Sequence, residues 1–160
     1  MFSLKFGTEL TSALAVGLCL TFTSTASASA FEIAAPYRAA EILLQNVVDQ
    51  VAAFKYPGVN TSDLPELIAP YKSQLKELGD SLLREGKLSE QQLAELSFLC
   101  APGILNIKEL VMRESRPLHF PKKPGDTADS LKKTHADALN FFSEKAALVG
   151  IISDILGCTK

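Results

Sequence analysis

The sequence has no tryptophan and only two histidines, His119 and His135. Neither histidine stands in a His-Glu-x-x-His or Glu-x-x-His spacing, so the zinc-protease and di-iron bundle patterns are absent. No Gly-x-Ser-x-Gly elbow and no phosphate-cradling glycine loop occurs. A Cys-x-x-Cys-His attachment site is missing too, so a haem would have to rest on His135 and Met112 with nothing specific behind them. Charge of one sign is not in excess: 16 basic residues face 18 acidic ones, for a net charge of −2. That balance argues against a nucleic-acid binder, which usually shows a large basic excess. β-Branched runs are scarce, which leaves little basis for a sheet.

Cysteine is also sparse: Cys19, Cys100 and Cys158. Cys19 falls in a leader-like segment. Lys5 gives it a weak positive start, Ala13 to Phe22 is an apolar run, and Thr23 to Ala30 is small and polar. Ala28-Ser29-Ala30 offers small residues where a signal peptidase reads, which predicts cleavage before Phe31, with cleavage after Ala28 as the second choice. Residues 1–30 are thus expected to be a signal peptide and residues 31–160 one exported domain, periplasmic or secreted. One feature departs from the ordinary pattern, and a lipoprotein reading through Cys19 is set aside. Glu9 is acidic, and Leu18 precedes Cys19 where a lipoprotein signal wants a small residue. A membrane anchor is the alternative, but the apolar run is short and no basic cluster follows it.

Without Cys19, Cys100 and Cys158 remain. An oxidising compartment favours a structural disulfide between them. It would close a loop of about 60 residues and stabilise by about 4 kcal/mol in the chain-entropy model. A catalytic redox pair is usually Cys-x-x-Cys, and this pair lies far apart.

What the chain does have is helical periodicity. In Asp126 to Cys158, the residues Leu131, His135, Ala138, Phe142, Val149, Ile152 and Leu156 recur at steps of three and four, with Lys145 or Ala146 filling the gap. Lys132, Lys133, Asp137, Asn140, Glu144 and Asp154 take the opposite, wet face. Asp126 and Asp129 are expected to cap the start and Gly157 to end the helix. Gly150 inside it costs about 1 kcal/mol relative to alanine, unless it admits another backbone. The run Ala146 to Leu156 is too short to span a bilayer.

Three earlier stripes precede it. Pro36 suits the first turn of a helix carrying Tyr37, Ala40, Leu44, Val47, Val51 and Phe54 inward, ending near Lys55 ahead of Pro57-Gly58. Ile42, Leu43 and Val48 widen that stripe. Asn60-Thr61-Ser62 matches an N-glycosylation acceptor. Asp63 and Glu66 have capping-box spacing before Leu64, Ile68, Tyr71, Leu75, Leu78 and Leu82. Pro70 predicts a short leading turn and then a main helix from Pro70 to Glu85, closed by Gly86 with Leu88 folding back. Ser89 and Gln92 form a second capping box, followed by Leu93, Leu96, Cys100, Ile104, Ile107 and Val111. Ala101-Pro102-Gly103 should split this stripe into half-helices near Glu90–Cys100 and Pro102–Glu114. Ser115 to Gly125, with Pro117, Pro121 and Pro124, reads as a long loop.

The expected fold is all-α: an up-down helical bundle of about four main helices, the third kinked at Pro102, with one disulfide. One tension is visible. The last helix should be about 45 Å long, yet Cys100 lies only about half that distance back from the loop. Either the loop folds back along the bundle or the helix bends near Gly150.

No catalytic, cofactor-binding or metal-ligating residue is assigned, and the paired acids Asp63/Glu66 and Asp126/Asp129 are accounted for as helix caps. His135 reads as a core or boundary histidine. The candidate contact surface is Arg113, Arg116, Leu118, His119, Phe120, Lys122 and Lys123, extended by Lys132 and Lys133. Its cations would draw an acidic protein surface, and Leu118 and Phe120 would anchor it. The bland alternative is a solvated, proline-rich connection. A second candidate is an apolar ligand held between helices by Ile42, Leu43, Leu83, Phe98, Leu99, Phe141 and Leu148, which could equally be packing. The function expected is a non-catalytic binding module for a protein partner, of inhibitor, immunity or assembly-accessory type. The alternative is a carrier of a lipid or other apolar molecule, with an enzyme third.

Overall fold

The structure, a computed structural model, describes residues 23–55, 61–113 and 124–158, with the side chains of the first helix described from Ser29 onward. Those residues form α1 (Thr23–Ala53), α2 (Leu64–Glu85), α3 (Glu90–Phe98), a π-helical turn (Leu99–Gly103), α4 (Ile104–Arg113) and α5 (Ala128–Ile155), with no strand among them. The fold is the all-α arrangement expected, with α3, the π turn and α4 forming one long third helix.

Contacts between named residues fix the helix directions. Arg38 of α1 bonds Asp80 of α2, while Lys72 of α2 donates to Gln45 of α1, so the two run antiparallel. From α2 to the third helix, Ser81 pairs with Gln92, Gln74 with Glu95 and Asp63 with Arg113, again antiparallel. Cys158 joins Cys100, and Gly150 lies opposite Lys108, so α5 runs antiparallel to α4. Phe54, just after α1, stacks on Phe141 of α5 at 4.0 Å between ring centroids.

The expected stripes supply most of the core. Tyr37, Ala40, Leu44, Val47, Val48 and Val51 of α1 are buried, as are Leu64, Ile68, Leu75, Leu78 and Leu82 of α2. Ile104, Ile107 and Val111 follow from α4, and Ala138, Phe142, Ala146, Val149 and Ile152 from α5. Lys145 and Ala146 are both buried, so the gap in the last stripe is filled twice. The predicted wet face of α5 is exposed at all six positions.

Several local expectations fail for identifiable reasons. α1 does not begin at Pro36; it begins at Thr23 and carries Pro36 inside. The alanine-rich stretch before Pro36 has high helix propensity, and a proline removes only one intrahelical bond. α2 likewise runs unbroken through Pro70, which lies on its solvent side within two turns of the start. Asp63 occupies the N-cap of α2 without a side-chain cap bond, so its capping box with Glu66 is not formed. The N-cap of α5 is Thr127, in a reciprocal box with Ser130, rather than Asp126. Ile42, at 62 % exposed, lies outside the α1 stripe it was expected to widen, and Leu93, at 51 %, faces outward. Gly150 meets the Lys108 side chain, not another backbone.

Pro102 does not break the third helix. It has no N–H to give to Phe98, and the chain responds by widening one turn: the N–H of Ile104 bonds Leu99 O, five residues back. The capping box at Ser89 forms as expected, with Gln92 N donating to Ser89 Oγ at 3.2 Å and Ser89 N to Gln92 Oε1 at 2.9 Å. Gly86 closes α2 at φ 69°, its N–H on Leu82 O at 2.9 Å. Gly157 ends α5 at φ 69°. There Gly157 N bonds Asp154 O at 3.1 Å and Cys158 N bonds Ser153 O at 2.9 Å, the paired pattern of a Schellman ending.

α5 runs unbroken through Gly150, so the length mismatch is resolved by register. Pairing Cys158 with Cys100 and Gly150 with Lys108 sets Lys145 level with Arg113. The first half of α5 therefore lies beyond the last turn of α4, and its C-terminal end stops level with the π turn.

Candidate functional site

Cys100 and Cys158 are bonded, with their Cα atoms 5.4 Å apart. Cys100 sits in the widened turn and Cys158 at the residue after the glycine stop, so each lies where the backbone leaves regular α geometry.

Of the expected contact surface, Arg113 is described. It closes α4, and its Nη2 donates to both oxygens of Asp63, at 2.9 and 3.0 Å. This contact explains the missing cap of α2: the Asp63 carboxylate faces the end of α4. An ion pair with both partners this exposed contributes about 0–1 kcal/mol. Its consequence is geometric, because it fixes where the chain leaves α4. Arg116, Leu118, His119, Phe120, Lys122 and Lys123 lie outside the described residues, as does Asn60. Lys132 and Lys133 stand exposed on the first turns of α5, in the overhanging half. His135, on the inner face of the same half, is half-buried.

Beside Arg113 an open cleft of about 350 Å³ runs between α2 and α4, lined by Tyr71, Asn106, Glu109, Leu110 and Arg113. Tyr71 and Leu110 supply apolar surface, while Asn106, Glu109 and Arg113 supply polar groups of both signs. Sequence reasoning missed this cleft. Tyr71 fits the inward stripe of α2 by spacing, and its half-buried position leaves it on the cleft wall. Asn106 and Glu109, three apart on α4, carried the only local sign of a polar face there.

The seven residues considered for an apolar ligand do not surround one space. Ile42, Leu83 and Phe98 are exposed on the outer surface, Leu99 is fully buried, and Leu43, Phe141 and Leu148 pack as partly buried neighbours of the core.

Two electrostatic features were not foreseen. Asp80 accepts from Arg38 Nη2 at 2.6 Å and Lys76 Nζ at 2.8 Å. The hydrogen bond from Lys76, aided by the charges of Arg38, Lys76 and Arg84, holds its carboxyl below the ordinary carboxylate value against a smaller opposing effect of burial. Lys145 is 6 % exposed, yet its ammonium reaches Glu144 Oε1 at 2.8 Å and lies 5.1 Å from the centroid of Phe141. Phe54, Phe141 and Phe142 build the aromatic cluster beside it.

Among the described residues no group of three or more His, Cys, Asp or Glu side chains is placed to hold a metal. No helix among them is long and apolar enough to cross a membrane. Comparison of the chain with protein-family models, with curated protein sequences and with solved structures finds no match in any of the three.

Proposed function

We propose that this chain is an exported binding module that engages a protein partner through the end of the bundle where α4 closes and α5 begins. The observation that carries this reading is the convergence at Arg113. The Asp63 contact, the open cleft and the start of the cationic segment 113–133 meet at that one residue. Exposed Lys132 and Lys133 extend positive charge along the overhanging half of α5. Cations arranged in this way speed association with an acidic surface, and Leu118 and Phe120 add apolar groups for the interface centre. Residues 1–30 act as the signal peptide in this reading, which accords with the Cys100–Cys158 bond. The scattering of Ile42, Leu83 and Phe98 over the outer surface favours a protein partner over a carried apolar ligand.

The test is capture from native extract by the purified domain 31–160, compared with a Leu118–Lys123 deletion and with the double variant Lys132→Glu/Lys133→Glu. The reading predicts a partner retained by the parent and lost by both variants at unchanged helix content. A deletion variant that captures the same partner equally well contradicts it. A co-purifying lipid seen by native mass spectrometry would favour the carrier instead.

A further inference from the structure

The helices are unequally anchored. α1, α2, α4 and α5 each bury several apolar side chains, whereas α3 buries none. Of its three large apolar residues, Leu93 and Phe98 are 51 % and 54 % exposed, and Leu96 alone packs, partly buried, against the core. Beyond Leu96, the contacts that fasten α3 to α2 are polar: Gln92 Nε2 donates to Ser81 Oγ at 2.6 Å, and Gln74 Nε2 donates to Glu95 O at 3.0 Å. Directly after α3 comes the π turn, where the proline lacks a donor and the bonds reach five residues back. Wide turns of this kind are where helices bend. Cys100 lies in that turn. Firm anchoring resumes around it with Leu99, Gly103 and Ile104. On the other side of the bond, α5 is held by Phe142, Val149 and Ile152, all fully buried or nearly so. Of the parts tied by the disulfide, α3 has the fewest other attachments.

We propose that the Cys100–Cys158 bond is a redox latch on α3: reduction lets α3 swing from α2 about the π turn while α1, α2, α4 and α5 stay packed. Both cysteines are partly exposed, so a reductant can reach the bond. The reductant is a dithiol. One of its sulfurs attacks the bond and forms a mixed disulfide, releasing the first cysteine as a thiolate. Its second sulfur displaces the other cysteine. Two electrons pass to the protein, the dithiol becomes a disulfide, and its two thiol protons end on Cys100 and Cys158. The inference does not depend on the partner-binding reading, since it concerns the opposite half of the third helix.

Amide hydrogen exchange on the full chain tests it, comparing the oxidised protein, the dithiothreitol-reduced protein and the Cys100→Ser/Cys158→Ser variant. Amides of Leu93 to Leu99 should exchange about tenfold faster or more in both opened forms, as expected for a local opening unit. Those of Leu44–Val51, Leu75–Leu82 and Phe142–Ile152 should keep their protection. Faster exchange in all helices together would make the bond a staple of the whole fold and overturn the latch. Unchanged exchange in α3, or a change confined to Ser153–Cys158, would overturn it equally.

Discussion

The side-chain amide of Gln92 donates to Ser81 Oγ at 2.6 Å while its oxygen accepts from Ser89 N at 2.9 Å. One residue therefore caps α3 and fastens it to α2, through a serine that is almost wholly buried. Gln92→Ala removes both contacts and leaves the Ser81 hydroxyl with only a long contact from Arg84. It should destabilise by about 1–2 kcal/mol. Ser81→Ala removes one contact and leaves a half-exposed amide that water can satisfy, so it should cost less, at most about 1 kcal/mol. Urea unfolding followed by circular dichroism gives both values, and the predicted order is Gln92→Ala worse than Ser81→Ala.

At Gly79 the backbone of α2 comes close to α1. A Cβ there would lie 3.2 Å from the Cβ of Tyr37, an atom fixed by the α1 backbone. Alanine gains about 1 kcal/mol of helix propensity, but forcing the helices apart costs about 1–3 kcal/mol. Gly79→Ala should be destabilising on balance, with a lower melting temperature. An unchanged or higher one would mean that the two helices separate freely.

Lys145 separates packing from charge. Its stem lies in the core beside Phe141, while its ammonium meets the well-exposed Glu144 carboxylate. Lys145→Met keeps the stem volume and removes the charge, and it should be within about 1 kcal/mol of the parent or more stable. Lys145→Ala should lose about 2–3 kcal/mol through the space left behind. Thermal melts of the two variants distinguish these outcomes.

The pH dependence follows from Asp80 and Tyr37. The Asp80 carboxyl is held below its ordinary value chiefly by the Lys76 hydrogen bond, so the folded form binds its proton less readily than the unfolded chain. Its stabilisation is present above the ordinary aspartate pKa of about 4 and is lost as pH falls through the depressed value. Asp80→Asn should lie below the parent at neutral pH, and the gap should close in acid. Burial raises the Tyr37 hydroxyl. That contribution is intact below the ordinary tyrosine pKa of about 10 and declines as pH climbs through the raised value, so Tyr37→Phe should resist alkali better. Urea midpoints across pH check both.

Legibility in the sequence tracked how local each determinant was. The Ser89/Gln92 box, the Gly86 and Gly157 stops and the stripes of α2 and α5 depend on neighbours within a turn or two, and they are read correctly. The cysteine pairing followed from elimination. Pro70 misled because a single lost bond is outweighed where Leu64, Ile68, Leu75 and Leu78 are buried on both sides of it, and Pro36 because the alanine-rich stretch before it is helix-forming in its own right. Asp63 misled because its partner, Arg113, is distant in sequence. Leu93 fits the period yet faces water, since the end of α5 stops level with the π turn and does not extend alongside α3. Of the candidate site, the sequence gives the cations; the cleft beside Arg113 needs the α2–α4 packing.

In the proposed reading, export and the single bond that closes the bundle belong together. Non-reducing peptide mapping of the protein isolated from its own host tests it most directly, because one spectrum reports both the N-terminus and the cysteine pairing. The expected result is a chain beginning at Phe31, or at Ser29 by the second cleavage choice, with the peptides of Cys100 and Cys158 joined. A chain retaining residues 1–28 with Cys100 and Cys158 as free thiols would contradict it.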